Sequence, residues 1–232
     1  MTREKKYSLF ISSTYEDLIE ERQAIYGVAL ESGFIPVGME QFHAAPTSQW
    51  NVITKMIDEC DFYLLIVGGR YGSIDDSSKK SYTEKEYDYA KSKGIPVIVL
   101  IKDPGSITED KKDKDDGKYT KYIKMEMLDS FREKVENDEN TVDRFDTVSY
   151  LKYIASQTLK NSISYADENA GWVKYKDVLD IVNEKIIETN DENINQQKNI
   201  YTEIKTILSD FDNKLTEIKN NQLTWQEIPT VS

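Results

Sequence analysis

The chain has 232 residues and a formal net charge of -12, with 38% hydrophobic and 31% charged residues. That charge excludes the basic surface a nucleic-acid binder needs to displace counterions from phosphates, while 15 tyrosines, seven phenylalanines and three tryptophans argue against a disordered chain. One cysteine and one histidine leave no intrachain disulfide and no Cys/His metal site, and no run of about 18 apolar residues predicts a membrane span.

The segment 7–14, YSLFISST, is a short apolar run ending in hydroxyl side chains and predicts a buried strand. A helix is expected over 15–33, with Leu18, Ile25, Val28 and Ala29 on its apolar face and Gly33 closing it. Residues 34–42, FIPVGMEQF, read as a second strand. The segment 47–61 carries Trp50, Ile53 and Ile57 at helical spacing, with Thr47 or Ser48 as N-cap. Cys60 ends it as a small buried hydrophobe. FYLLIVGG (62–69) is the most apolar stretch and predicts a central strand breaking at two glycines. A helix follows over about 81–93, then a strand at 95–103, a polar loop, a helix over 119–137, a short strand near 142–148 and a helix over 149–166. Trp172 is expected to plug the end of the domain. His43 is placed in a surface loop.

Near-continuous apolar strands alternating with helices predict an α/β fold, a doubly wound parallel sheet of flavodoxin-like or TIR-like type. In such a sheet ligands bind beyond the carboxyl ends of the strands. Those ends are Ser12, Ser13 and Thr14; Glu40 within GMEQF; and Gly68, Gly69, Arg70 and Tyr71 within GGRYG. All are candidate binding residues. Glu40 either lines the cleft or pairs with a cation.

The domain is expected to span residues 1–175, followed by a helical tail at 176–232. In the tail, Tyr201, Ile204, Leu208, Phe211, Leu215 and Ile218 alternate spacings of three and four, a seam of about two and a half heptads. It either packs back on the domain or pairs with another chain, a homo-oligomer or a partner protein through residues 200–219.

The helix at 81–93 carries two glutamates with different expectations. Ser81 and Glu84 form an S-x-x-E capping box, and Glu84 shares a solvated stripe with Asp88 and Lys91. Glu86 lies on the opposite face with Tyr82, Thr83, Tyr89 and Ala90, directed at the sheet. A carboxylate there needs a partner or a cavity: it either pairs with Arg70 or opens into the cleft.

FISSTYEDLIEERQAI, FIPVGMEQF, MIDECDFYLLIVGGRYGSI and SYTEKEYDYA together resemble the domain of unknown function 4062 family over about residues 5–175. That family is similar to TIR domains and, more distantly, to nucleoside deoxyribosyltransferases. The resemblance implies a small flavodoxin-like domain of immune and anti-phage signalling, activated by association; a cytoplasmic location is expected from the lack of a signal peptide and of a long apolar run. In NAD-degrading TIR domains the catalytic glutamate follows a W-C-x-x-E pattern. On this chain Tyr82 and Thr83 take the W-C positions and Glu86 the glutamate. EYDYA also resembles the sequence around the nucleophilic glutamate of deoxyribosyltransferases. The implied substrate is NAD, with no cofactor and no metal. Glu86 would act at the ribose, Ser12, Ser13, Gly68 and Gly69 would hold phosphate or ribose, Arg70 would pair with phosphate or orient Glu86, and Tyr71 or Tyr82 would stack on a base. A non-catalytic module binding a nucleotide or a partner is the alternative, and deoxyribosyl transfer a weaker third.

Overall fold

The computed structural model describes residues 5–38, 49–138, 140–166, 171–173, 178–179 and 194–224, with the side chains of 165, 194–199, 215 and 217–224 left undescribed. Glu40, His43 and the expected caps Thr47 and Ser48 lie outside the described residues, as do the side chains of Leu215 and Ile218. The chain divides into two compact units, Met1–Trp172 and Val173–Ser232.

In the first unit, β1 (Tyr7–Ser13), β2 (Phe34–Gly38), β3 (Phe62–Val67), β4 (Val97–Lys102) and β5 (Thr141–Phe145) form one sheet in the order β2-β1-β3-β4-β5. Every pairing is parallel. The intervening helices are α1 (Ile19–Glu31), α2 (Gln49–Asp58), α3 (Tyr82–Ser92), α4 (Lys121–Asn137) and α5 (Val148–Ser162). This is the doubly wound, flavodoxin-like order, and the direction in which strands are added to the sheet reverses between β1 and β3.

Strand alternation divides the core into two layers. Leu9 and Ile11 of β1 and Phe62, Leu64 and Ile66 of β3 pack against Ile25, Val28 and Ala29 of α1 and Leu151, Ile154 and Leu159 of α5. Phe10, Tyr63, Leu65 and Val67 face the other way, onto Ile53 and Ile57 of α2, Tyr87 and Ala90 of α3, and Leu128, Phe131 and Val135 of α4. β1 and β3 are buried along their whole length, which is why both read as unbroken apolar runs.

Three expectations need correction. α1 starts at Ile19 rather than 15, leaving a turn that buries Asp17 and Leu18. Trp172 is no plug: the residue is 54% exposed, and its backbone exchanges two hydrogen bonds with Lys6. On α3, Tyr87 is the fully buried aromatic, whereas Tyr82 and Tyr89 are half-buried.

The second unit contains α6 (Ile194–Thr224), a single long helix. No described helix is long and apolar enough to cross a membrane.

Candidate active site

Ser12 and Ser13 are consecutive residues at the end of β1, so their side chains leave opposite faces of the sheet. Ser12 Oγ donates a 2.5 Å hydrogen bond to Glu86 Oε2 on α3. Ser13 Oγ accepts a 2.8 Å bond from Arg22 Nη1 on α1, and Arg22 also reaches the carbonyl of Ile11. A polar column therefore runs through the sheet where β1 ends. Its members are all buried, with Glu86 at 2% exposure and Arg22 at 3%.

The partner of Glu86 is thus Ser12, with Arg22 as the nearby cation, and not Arg70. Arg70 turns outward, where it bonds Glu16 and the carbonyl of Asp110 at 3.2 Å. Burial pushes the Glu86 carboxyl from 4.5 up to about 7, opposed by the Ser12 hydrogen bond and by the positive charge of Arg22. Tyr63 lies on the same face. Burial and the Glu86 charge push its phenol well above 10. Ser12 is near enough to lower it, but no hydrogen bond of regular geometry satisfies the hydroxyl.

Glu84 is not on a solvated stripe. Ser81 does cap α3, accepting from the Glu84 amide at 3.1 Å. The Glu84 carboxylate, 9% exposed, accepts instead from Tyr71 Oη at 2.6 Å and from Lys134 Nζ of α4 at 3.0 Å. Lys134 also bonds Asp88. Tyr71 is only 3% exposed, so its ring is part of the core in this state. Tyr82 is half-buried, with the Lys85 ammonium 5.4 Å from its ring centroid.

Gly68 and Gly69 leave β3 between two walls. A Cβ on Gly68 would sit 2.4 Å from Asp17 Oδ2 and 2.8 Å from Leu18 Cγ; one on Gly69 would sit 2.5 Å from the Lys111 carbonyl oxygen. The glycines are there because the backbone passes too closely for any side chain. Thr14, Gly68, Arg70, Tyr71 and Thr83 line a cavity of about 10 Å3, room for about one water. Thr83 lies one turn before Glu86 on α3.

Asp17 carries no sequence motif, yet it is 1% exposed and its Oδ2 accepts from the Gly69 amide at 3.0 Å. Burial raises its pKa, offset in part by Thr14, Arg70 and the Gly69 amide. Asp17 Oδ1, Thr14 Oγ1 and Arg70 Nε are all buried without a hydrogen bond of regular geometry. Together they form a polar cluster at the reversal point between β1 and β3. Asp17 lies in the turn before α1 and Arg22 in its first turn beside Glu20 and Glu21, and nothing in their spacing marks them as inward-facing. Cys60 is buried and its thiol is pushed up to about 12, so it is no nucleophile.

The profile of a family described as Domain of unknown function (DUF4062) matches residues 8–160. No curated protein matches the chain. Among solved structures, the chain is similar to the CMP N-glycosidase BcmB of Clostridium botulinum, at 12% identity and a TM-score of 0.39 over 63% of this chain and 96% of that one. It is similar to the TIR domains of the activated Roq1 resistosome, at 15% identity and a TM-score of 0.36 over 67% and 84%. It is also similar to a diflavin flavoprotein of Nostoc sp., at 13% identity and a TM-score of 0.37 over 70% and 93%.

Proposed function

This chain belongs to the DUF4062 family, and from that premise we propose that it cleaves NAD at the nicotinamide N-glycosidic bond, by hydrolysis or cyclisation, with Glu86 as the catalytic carboxylate. The observation that carries the reading is the position of Glu86. It is a buried carboxyl on α3, hydrogen-bonded to the end of β1 and held at about 7, beside the strand ends where ligands of doubly wound sheets bind.

The chemistry needs little else. As the bond between ribose C1′ and the pyridinium nitrogen breaks, its electron pair goes to that nitrogen. Nicotinamide then leaves neutral, and no general acid is required. Positive charge develops on the ribose ring, as in glycoside hydrolysis. A carboxylate beneath C1′ stabilises that charge or bonds to it, until water or another nucleophile of the substrate takes its place. The ionised form is the active one, so the rate should rise with pH through about 7. Ser12 orients the carboxylate.

Glu86 is enclosed at 2% exposure, so turnover demands that the crevice open. Association through the tail is the trigger this reading invokes, in keeping with a role in association-activated immune signalling. The same enclosure favours a second reading, a module that binds a nucleotide or partner without chemistry.

A chromatographic NAD assay on concentrated protein with a crowding agent separates the two. The first reading expects nicotinamide release by wild type and its loss in Glu86→Gln, which keeps the shape and removes the charge. Equal release by both would overturn it. Calorimetric binding of NAD with no product would favour the second.

A further inference from the structure

A second cavity, of about 230 Å3, meets the Gly68–Gly69 turn at Gly69. It is lined by Gly69, by Lys112 and Asp113 of the β4–α4 loop, and by Lys121, Tyr122 and Met125 at the start of α4. Tyr122 is 64% exposed and Met125 51% exposed. They are three residues apart on one helix, so they share a face.

The loop that frames this cavity is firmly held. The Lys111 carbonyl and Ile107 pack against the bare Cα of Gly69. Asp113 Oδ2 accepts from the Tyr71 amide at 2.5 Å. Lys124, 6% exposed, draws in Asp116 at 2.8 Å and Asp113 at 3.8 Å. The acids of the wall are therefore occupied: Asp113 by Tyr71 and Lys124, and Glu109 by Lys112 at 2.5 Å. Lys121 holds its ammonium 5.2 Å from the Tyr122 ring centroid. What the wall offers a ligand is an aromatic face, a thioether and the Lys121 ammonium.

We infer that this cavity is the subsite for the nucleobase of a nucleotide substrate, with adenine stacked on Tyr122 against Met125 and its phosphate facing Lys121. The inference rests on the proposed reading of Glu86, because it assigns the second half of the same dinucleotide. A volume of about 230 Å3 is below the roughly 300–1,000 Å3 of pockets that engulf a drug-sized ligand. It suits one base with its ribose, not a whole dinucleotide. The cavity with Thr83 and Arg70 is lined by Gly68, and the cavity with Tyr122 by Gly69. A dinucleotide with its base on Tyr122 would reach the α3 turn that carries Glu86 only once the crevice opens, since the cavity beside Thr83 holds about one water.

AMP is the probe, titrated into the full chain by calorimetry and by amide NMR. Saturable binding that perturbs Gly69, Lys112 and Tyr122 is expected. Tyr122→Ala should weaken it roughly tenfold or more, as removal of a stacking partner does, while Tyr122→Phe should retain it. Ribose 5-phosphate, which lacks the base, should bind weakly and be indifferent to Tyr122. The inference is overturned if AMP does not saturate, if Tyr122→Ala binds it as wild type does, or if ribose 5-phosphate binds as tightly as AMP. AMP bound through Tyr122 by a protein that releases no nicotinamide would sink the catalytic reading and leave this subsite standing. Nicotinamide release lost in Glu86→Gln but unchanged, in KM as in kcat, in Tyr122→Ala would do the reverse.

Discussion

Ser12 Oγ lies 2.5 Å from Glu86 Oε2, a hydrogen bond that ties the end of β1 to α3 inside the core. The raised pKa of Glu86 makes this pair a measurable liability. The folded protein holds the proton up to about 7, whereas the unfolded chain releases it near 4.5. Between those values the native state binds more protons than the unfolded one, so stability falls as pH rises. The loss is about 3 kcal/mol and is complete above pH 7. Glu86→Gln removes it. Urea unfolding at pH 5 and pH 8 should show a stability drop in wild type that is smaller in Glu86→Gln by about that amount. Equal drops would mean that Glu86 does not titrate in this range.

Arg22 is the cation that works against this burial. Its guanidinium is fixed by Ser13 Oγ at 2.8 Å on the other face of the sheet, and its charge lowers the Glu86 pKa. Arg22→Met keeps much of the apolar stem and removes the charge. The Glu86 carboxyl should then titrate higher than in wild type, followed by carbon NMR of labelled glutamate and assigned by comparison with Glu86→Gln. An unchanged midpoint would show that the two charges do not communicate through the sheet.

Tyr71, Glu84 and Lys134 make a network between the β3–α3 loop, α3 and α4. A hydrogen bond to a charged group contributes about 1.5–3 kcal/mol, so Tyr71→Phe should cost about that, the phenol donating to Glu84 at 2.6 Å. Glu84→Gln should be costly as well, because the carboxylate holds Lys134 rather than completing the helix cap. Denaturant unfolding of both single variants and the double variant should give less than additive losses. Additive losses would indicate that the phenol and the carboxylate act independently.

The doubly wound parallel sheet was legible because its strands are covered on both faces and read as apolar runs with helices between them. The inward direction of Glu86 was legible for the same reason, since its place on the wheel opposite Asp88 and Lys91 sets it toward the sheet. Its partner was not. Arg70 lies at a strand end in the sequence, yet the chain turns it out to Glu16, and the cation that reaches the site comes through β1 from α1. Periodicity reports which face a residue occupies, but not which charges meet across a sheet. Glu84 misled for a related reason. A residue three positions after a cap has two uses, and the aromatic and the lysine that claim its carboxylate come from elements 13 and 50 residues away. Tyr122 and Met125 gave no signal, because exposed apolar residues on an amphipathic helix are common.

The glycines supply a paired test with opposite signs. In Gly68→Ala the new methyl would sit 2.4 Å from Asp17 Oδ2 and 2.8 Å from Leu18 Cγ. Asp17 is buried and bonded to the next amide, so the clash is not easily relieved, and a loss of about 1–3 kcal/mol is expected. Gly27 lies in the middle of α1 with nothing within 4 Å of the corresponding position. Gly27→Ala should stabilise by about 0.5–1 kcal/mol through helix propensity. Thermal melts of the two variants should move in opposite directions. A neutral Gly68→Ala would mean that the strand end has room to adjust, which would weaken its assignment as a close-approach site.

The last prediction concerns association. On α6, Ile200, Ile207 and Phe211 are 55%, 63% and 55% exposed, and Tyr201, Ile204 and Leu208 are half-buried. Phe211 belongs to the seam at a and d spacing, and Ile200 and Ile207 widen it on one side. A face that wide is more than a two-stranded seam needs and suits packing among several helices. Burying one such side chain contributes about 1.5–3 kcal/mol, so replacing Phe211 by Asp should weaken self-association by roughly thirtyfold. Sedimentation velocity over a concentration series should show wild type associating and Phe211→Asp shifted to higher concentration, with Ile207→Asp acting in the same direction. If the nicotinamide release proposed for Glu86 depends on association, Phe211→Asp should reduce activity at low protein concentration and recover it at high concentration. A wild type that stays monomeric throughout would remove the tail as the trigger.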